Sequence, residues 1–267
     1  MNFEKVIIMT DLDGTLLNDK KQVSVKDLAA INSFRSKGGL FTVATGRGVA
    51  MARRVVDTLE VDMPCVIFNG AAVYDFRESR FLWHSSMPDC AVDYIRTLMR
   101  RFPDIGIEIL RGEEVIVVNN NETVDEHMAI EQVTPVYMDI DEVPRDNWLK
   151  VLIAHTPEKV DDIVKFVAHD CNAGVNWVRS APVYYEMLPE GISKGSGYKR
   201  LLEATGKTDY FTVASGDFGN DYDMIRTADL GVAVANAQPE VKSAAKLIVG
   251  DNNSSPMSQI IEHIEKL

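Results

Sequence analysis

Short apolar runs that each end in a polar, glycine-containing cluster constrain this chain more than any other feature. The first run is Val6-Ile7-Ile8-Met9, and it passes directly into Thr10-Asp11-Leu12-Asp13-Gly14-Thr15. A run of this length and kind reads as a buried strand. The pattern repeats: Leu40–Ala44 runs into Thr45-Gly46-Arg47, and Cys65–Phe68 runs into Asn69-Gly70. Much later, Tyr210–Ala214 runs into Ser215-Gly216-Asp217-Phe218-Gly219-Asn220-Asp221. Helical stripes separate the runs. Ser24 starts one, with Asp27 placed as in a capping box and Val25, Leu28, Ile31 and Phe34 as its apolar face. Another covers about 49–59. Strand-helix alternation of this kind implies right-handed parallel βαβ units.

The pattern changes between about 82 and 190. A helix at 89–101 is followed by strands at 105–110 and 114–118, joined through Arg111-Gly112 as a hairpin. A helix at 122–131, a poorly patterned stretch, a strand at 149–154, a helix at 157–170 and strands at 175–179 and 183–188 complete a mixed α+β unit. It reads as a second domain inserted into the first, the inserted part being 83–189 and the flanking parts 1–82 and 190–267. After it the first pattern resumes, with helices near 196–204, 221–227, 238–245 and 256–266 and strands at 230–234 and 247–249.

Parallel strands bring their carboxyl ends to one rim, where ligands of open α/β sheets bind. That rim would collect Asp11, Asp13, Thr45, Arg47, Asn69, Asp217, Asn220 and Asp221, with Lys194 within reach at the return from the insertion. Two acids one residue apart are costly to crowd unless a cation or a proton lies between them. Hard oxygen ligands suit Mg²⁺, and the absence of a thiolate or imidazole cage argues against zinc. A hydroxyl and an ammonium can hold a phosphoryl group, whose transfer depends on positioning and charge neutralisation. One carboxylate can act as nucleophile and a second as acid and base.

The four clusters resemble the four motifs of the haloacid dehalogenase-like phosphohydrolase superfamily. Asp-Leu-Asp-Gly-Thr at 11–15 is similar to the first, Thr45 in Ala-Thr-Gly-Arg to the second, Lys194 in Ile-Ser-Lys-Gly to the third, and Gly-Asp-Phe-Gly-Asn-Asp at 216–221 to the fourth. The inserted unit and the Asn69-Gly70 step resemble Cof-type members with a type-IIB cap. The resemblance implies a Rossmann-like, doubly wound parallel-sheet core with an inserted α+β cap that selects the substrate. It implies Asp11 as nucleophile and Asp13 as general acid and base. Mg²⁺ would be held by the Asp11 and Asp217 carboxylates and the Asp13 carbonyl, with Asp221 ligating or supporting. Thr45 and Lys194 would bind the phosphoryl, with Gly46, Arg47 and Asn220 beside it. Asn69, Gly70, Arg179, Tyr184 and Glu186 are candidates for contacts with the rest of the substrate. One segment departs from the pattern: Asn252-Asn253-Ser254-Ser255-Pro256 stands where many Cof-type chains carry an Asp-Gly-Val-Ala-like turn.

The expected activity is a Mg²⁺-dependent phosphatase acting on small phosphorylated metabolites, sugar phosphates first and phosphorylated cofactors or their precursors next. A phosphomutase or phosphotransferase of the same superfamily, or a phospholigand-binding protein without turnover, are the alternatives. A net charge of −12 argues against nucleic acid as partner. No run reaches the roughly 18 apolar residues of a membrane span, and the N-terminus lacks the features of a signal peptide. A cytoplasmic location is the default expectation. Cys65, Cys90 and Cys171 lie far apart and read as packing residues. Trp83, Trp148 and Trp177 read the same way, and the five histidines show no shared spacing.

Overall fold

The computed structural model describes residues 3–267. The chain divides into two compact units, one comprising Met1–Gly46, Arg54–Trp83 and Ser193–Leu267, the other Arg47–Arg53 and His84–Ile192.

β1 (Val6–Thr10) opens the first unit and is followed by α1 (Val25–Ser36), β2 (Leu40–Val43), α2 (Val49–Leu59, whose first residues count with the second unit), β3 (Cys65–Ile67), β4 (Ala72–Asp75) and β5 (Arg80–His84, whose last residue does too). β1 is buried along its whole length, as a strand covered on both faces must be. It pairs in parallel with β2 on one side. Isolated bridging of Ala44 to Val66 ties the end of β2 to β3. β3, β4 and β5 form a small sheet of their own that periodicity did not disclose.

The second unit contains α3 (Cys90–Arg101), β6 (Gly106–Arg111), β7 (Glu114–Asn119), α4 (Glu122–Glu131), β8 (Val136–Tyr137), β9 (Trp148–Ala154), α5 (Pro157–Asp170), β10 (Val175–Ala181) and β11 (Tyr184–Pro189). Its sheet runs β10-β11-β9-β6-β7-β8. The pairings are antiparallel except β7 with β8. Side chains alternate between the faces of a strand. Ile107, Ile109, Val151, Ile153 and Met187 join the apolar core, together with Ile95 and Leu98 of α3 and Ile163 and Val167 of α5. The intervening residues Glu108, Leu152 and Glu186 are in register with one another across β6, β9 and β11. Trp148 lies in this core and Trp177 stacks on Tyr185, so both are packing residues.

The chain then returns to the first unit through α6 (Lys194–Thr205), β12 (Phe211–Gly216), α7 (Tyr222–Thr227), β13 (Leu230–Val234), α8 (Pro239–Ala244), β14 (Leu247–Val249) and α9 (Pro256–Ile264). β12 pairs in parallel with β1, and β13 and β14 extend the sheet to the order β14-β13-β12-β1-β2. Ile7, Met9, Ala214, Leu201 and Met224 share a core with Tyr198, and Trp83 packs against it.

Two local expectations are corrected. Val25 does not join the apolar face of α1; it is 86% exposed, and Asp27 is buried instead. The Asp27 carboxylate accepts the Ser24 hydroxyl at 2.9 Å and the Ser258 backbone N–H at 2.8 Å. One acid thereby serves the first turns of both α1 and α9. The helix expected at 196–204 begins two residues earlier. Ser193 caps it through reciprocal bonds with Ser196, which puts Lys194 in its first turn.

Candidate active site

The acidic clusters and Thr45 of the first unit sit where strands of the main sheet end, Lys194 where α6 begins, and Asn69 after β3 of the small sheet. Asp11 follows β1 directly, and its backbone N–H continues the ladder by donating to Ser215 of β12 at 2.9 Å. Behind it the Ser215 hydroxyl donates to Thr10 Oγ1 at 2.8 Å, and Thr10 Oγ1 donates to the Asp11 carbonyl at 2.9 Å. Both hydroxyls are buried, so this short chain fixes the peptide that carries Asp11.

Lys194 reaches this point from α6 and is 1% exposed. Its ammonium donates to Asp11 Oδ1 and to Asp221 Oδ1, each at 2.6 Å. Asp221 uses its other oxygen to accept the backbone N–H groups of Asp217 at 3.0 Å and Phe218 at 3.2 Å. It therefore shapes the loop that presents Asp217. Asp217 in turn accepts the Thr15 hydroxyl at 2.9 Å. Gly14, at φ +76°, lets the turn after β1 approach: a Cβ there would lie 2.5 Å from Asp217 Oδ2.

Asp11, Asp217 and Asp221 each offer one carboxylate oxygen, all within 4.8 Å of one another. Burial pushes the Asp11 carboxyl well above the usual carboxylate range; Lys194 opposes the shift, and Asp221 and Asp217 add to it. Burial, then the Asp221 charge, pushes Asp217 up to about 6. Burial opposes the charge on Lys194, but Asp11 and Asp221 outweigh it and hold its pKa above the ordinary value. The ammonium stays charged, and the surplus of negative charge rests on the acids. A donor set made only of hard oxygens and holding more acid than its one ammonium neutralises fits a small divalent cation.

Thr45 is buried. Its N–H donates to the Val66 carbonyl at 2.9 Å, and its own carbonyl accepts the Asn69 N–H at 3.0 Å. Asn69 Oδ1 accepts from Asn220 Nδ2 at 2.9 Å, and Gly46 faces the same amide. At Gly70 a Cβ would lie 2.0 Å from the Ser193 carbonyl. Thr45, Gly46, Asn69 and Asn220 are thus linked through Asn69, and Gly70 meets the residue before Lys194.

The sequence assigns no role to Lys21, Thr15 or Asn236, and marks Asn252 only as part of the segment that departs from the Cof-type turn. Lys21 Nζ lies 2.6 Å from Asp13 Oδ1, with both side chains exposed. Asn236 Nδ2 donates to the Gly14 carbonyl at 2.8 Å, and Asn252 Nδ2 to the Leu17 carbonyl at 3.1 Å. The segment that departs from the Cof-type turn therefore braces the stretch after β1. Thr15 was visible as part of the first motif and Asn252 as part of the departing segment; Lys21 and Asn236 carry no local signal.

In the second unit, Arg47 Nη1 lies 2.7 Å from Glu131 Oε2. Glu186 is buried and holds Lys150 at 3.0 Å and the Ser180 hydroxyl at 2.6 Å. Arg179 is bonded to Asp161 and to the Pro182 carbonyl at 2.6 Å. Tyr184 lies against His127, which in turn meets Glu108 at 2.8 Å. Among the described residues, no helix is long and apolar enough to cross a membrane.

Comparison with known proteins agrees with this geometry. Residues 8–261 match the sequence model of the haloacid dehalogenase-like hydrolases. YxeH of Bacillus subtilis (strain 168), which carries a provisional phosphatase name, is 30% identical over 97% of both chains. The pyridoxal phosphate phosphatase YbhA of Escherichia coli (strain K12) is 27% identical over 96% of this chain and 97% of its own. A haloacid dehalogenase-like hydrolase from Bacteroides thetaiotaomicron superposes with a TM-score of 0.84 at 26% identity, covering 97% of this chain and 98% of that one.

Proposed function

The chain belongs to the haloacid dehalogenase-like hydrolase family, and on that premise we propose that this phosphatase hydrolyses small phosphate monoesters through a phosphoaspartyl intermediate on Asp11. The observation that carries the reading is the buried ammonium of Lys194 bonded to both Asp11 and Asp221 with Asp217 alongside. A site for anion binding alone would have no need of so many acids.

In the first step an Asp11 oxygen attacks phosphorus and the ester P–O bond breaks. Asp13 gives its proton to the departing alkoxide. In the second step Asp13 takes a proton from water, whose oxygen attacks phosphorus; the bond to Asp11 breaks and phosphate leaves. Lys194 steadies the Asp11 carboxylate and supplies positive charge to the phosphoryl oxygens. Thr45 donates its hydroxyl to the same group, and Gly46 keeps that loop clear of a side chain. Asp11, the Asp13 carbonyl and Asp217 would hold Mg²⁺, with Asp221 fixing the Asp217 loop from behind. When bound, that ion would neutralise charge on the nucleophile and the phosphoryl oxygens.

Substrate selection we assign to the inserted second unit, as cap. Glu186 and Arg179 are already engaged by Lys150 and Asp161, so of the three strand residues expected from the sequence Tyr184 is the best placed to meet a substrate. Sugar phosphates are the first class to test. Phosphorylated cofactors come next, and the relative named as a pyridoxal phosphate phosphatase supports their inclusion.

A phosphate-release screen across sugar phosphates, nucleotides and cofactor phosphates, with and without Mg²⁺, tests the reading. Asp11→Asn should lower turnover by on the order of 10⁴-fold or more while leaving the circular dichroism spectrum unchanged. Ordinary hydrolysis of p-nitrophenyl phosphate by that variant would end the mechanism. Label moving between two sugar positions without free phosphate would convert the reading to a mutase.

A further inference from the structure

Three consecutive residues between β3 and β4 adopt left-handed backbone: Phe68 at φ +52°, Asn69 at φ +53° and Gly70 at φ +103°. For glycine this is ordinary, and for asparagine it is tolerated. For a phenylalanine it is an outlier, and the crowding of Cβ against the carbonyl costs about 1–2 kcal/mol per residue. Such conformations persist only where the surroundings over-determine them, and they concentrate at functional sites.

The surroundings here are the phosphate-binding loops themselves. Phe68 anchors the turn through a buried ring. The Asn69 N–H bonds to the Thr45 carbonyl at 3.0 Å. Its side-chain oxygen accepts from Asn220 at 2.9 Å, and its amide stands against Gly46, where a Cβ would come within 3.0 Å of both amide atoms. The next residue, Gly70, admits the Ser193 carbonyl immediately before Lys194. One turn of three residues therefore touches the loop after β2, the loop after β12 and the start of α6. These are the segments that present Thr45, Asn220 and Lys194. Asn69 is also 1% exposed, so its amide lies in the protein rather than in solvent.

We propose that Asn69 is a positioning residue for phosphoryl transfer: its amide locks the Thr45–Gly46 loop and Asn220 at a fixed spacing, and it does so from a left-handed turn that asparagine tolerates better than most residues. The proposal rests on the phosphatase reading. Asn69 moves no proton and forms no bond to phosphorus. Its effect is transmitted through Asn220 and the backbone of Thr45.

The test separates backbone shape from side-chain amide. Asn69→Gly keeps the left-handed turn at no steric cost and removes the amide. It should fold with an unchanged melting temperature or a higher one than Asn69→Ala. Both variants should nevertheless lose kcat for p-nitrophenyl phosphate by about 10–100-fold, the scale of a misplaced catalytic group, with KM nearly unchanged. Adding Asn220→Ala to Asn69→Gly should cost little more, because the two act as one unit. Wild-type kcat in Asn69→Gly would overturn the inference, as would a fully additive double variant. If the wild-type chain releases no phosphate under any condition of the screen, the underlying phosphatase reading fails instead.

Discussion

Each unit buries a lysine against carboxylate, and the two arrangements differ in balance. In the second unit Lys150 meets Glu186, which also accepts the Ser180 hydroxyl. One positive charge answers one negative charge. In the first unit Lys194 meets two carboxylates at 2.6 Å while a third stands beside them. Acid exceeds base, and burial first, with the neighbouring acids adding to it, pushes the carboxyl groups of Asp11 and Asp217 upward. A balanced buried pair holds a sheet together. A buried surplus of one sign is a demand for something that is not protein.

Substitutions at the two lysines should break or sharpen this contrast. Lys194→Met should lower kcat/KM by about 10²–10³-fold, the range seen when one preorganised electrostatic group is lost. It should also lower the melting temperature, since two buried acids lose their partner. Excess Mg²⁺ should recover much of that melting temperature, because a cation can take the place of the missing charge. Thermal denaturation with and without Mg²⁺ reads both effects. Lys150→Met should destabilise by about 3–5 kcal/mol, the scale for breaking a buried pair, and Mg²⁺ should not help. Replacing both partners, as Lys150→Met with Glu186→Leu, should restore most of the lost stability in urea titrations. Mg²⁺ rescue of Lys150→Met would erase the distinction.

The smallest effect concerns pH. Burial, then the Asp221 charge, pushes the Asp217 carboxyl up to about 6 from its ordinary 3.8. A raised carboxyl pKa contributes stability that is present below the ordinary value and is lost as pH rises through about 6. Cation binding needs the ionised form, so Mg²⁺ affinity should climb between pH 5 and pH 7, by up to about tenfold per unit below the pKa. The gain in melting temperature from Mg²⁺ should widen over the same window. Calorimetric titrations giving a flat affinity would remove Asp217 as the titrating ligand.

Much of this was legible in the sequence, for a physical reason. A strand buried on both faces is nearly all apolar, so β1 ends abruptly at Asp11, and a parallel sheet gathers such ends. Asp217 and Thr45 stand after β12 and β2 of that same sheet, whereas Asn69 follows β3, which lies in the small separate sheet. The second unit was legible as a change of rhythm, from crossovers to hairpins. What escaped detection depends on contacts remote in sequence. Asp27 is buried because Ser258, 231 residues on, needs an acceptor. Val25 is consequently turned outward, although its apolar character suggested the core. The left-handed turn at 68–70 begins at a phenylalanine, which has no propensity for that conformation, so only the surrounding loops could reveal it. Lys21 lies in a polar stretch that promised no more than a turn, yet its ammonium meets Asp13.

The surplus around Lys194 also sets an order of arrival. With the three acids ionised, the cluster carries two net negative charges, which one divalent ion would cancel. A phosphate dianion that came first would be repelled; one that came second would meet a neutral floor with an ammonium in it. Phosphate esters should therefore wait on the metal, and a cell short of that metal should find this protein empty-handed rather than clogged with unprocessed ester.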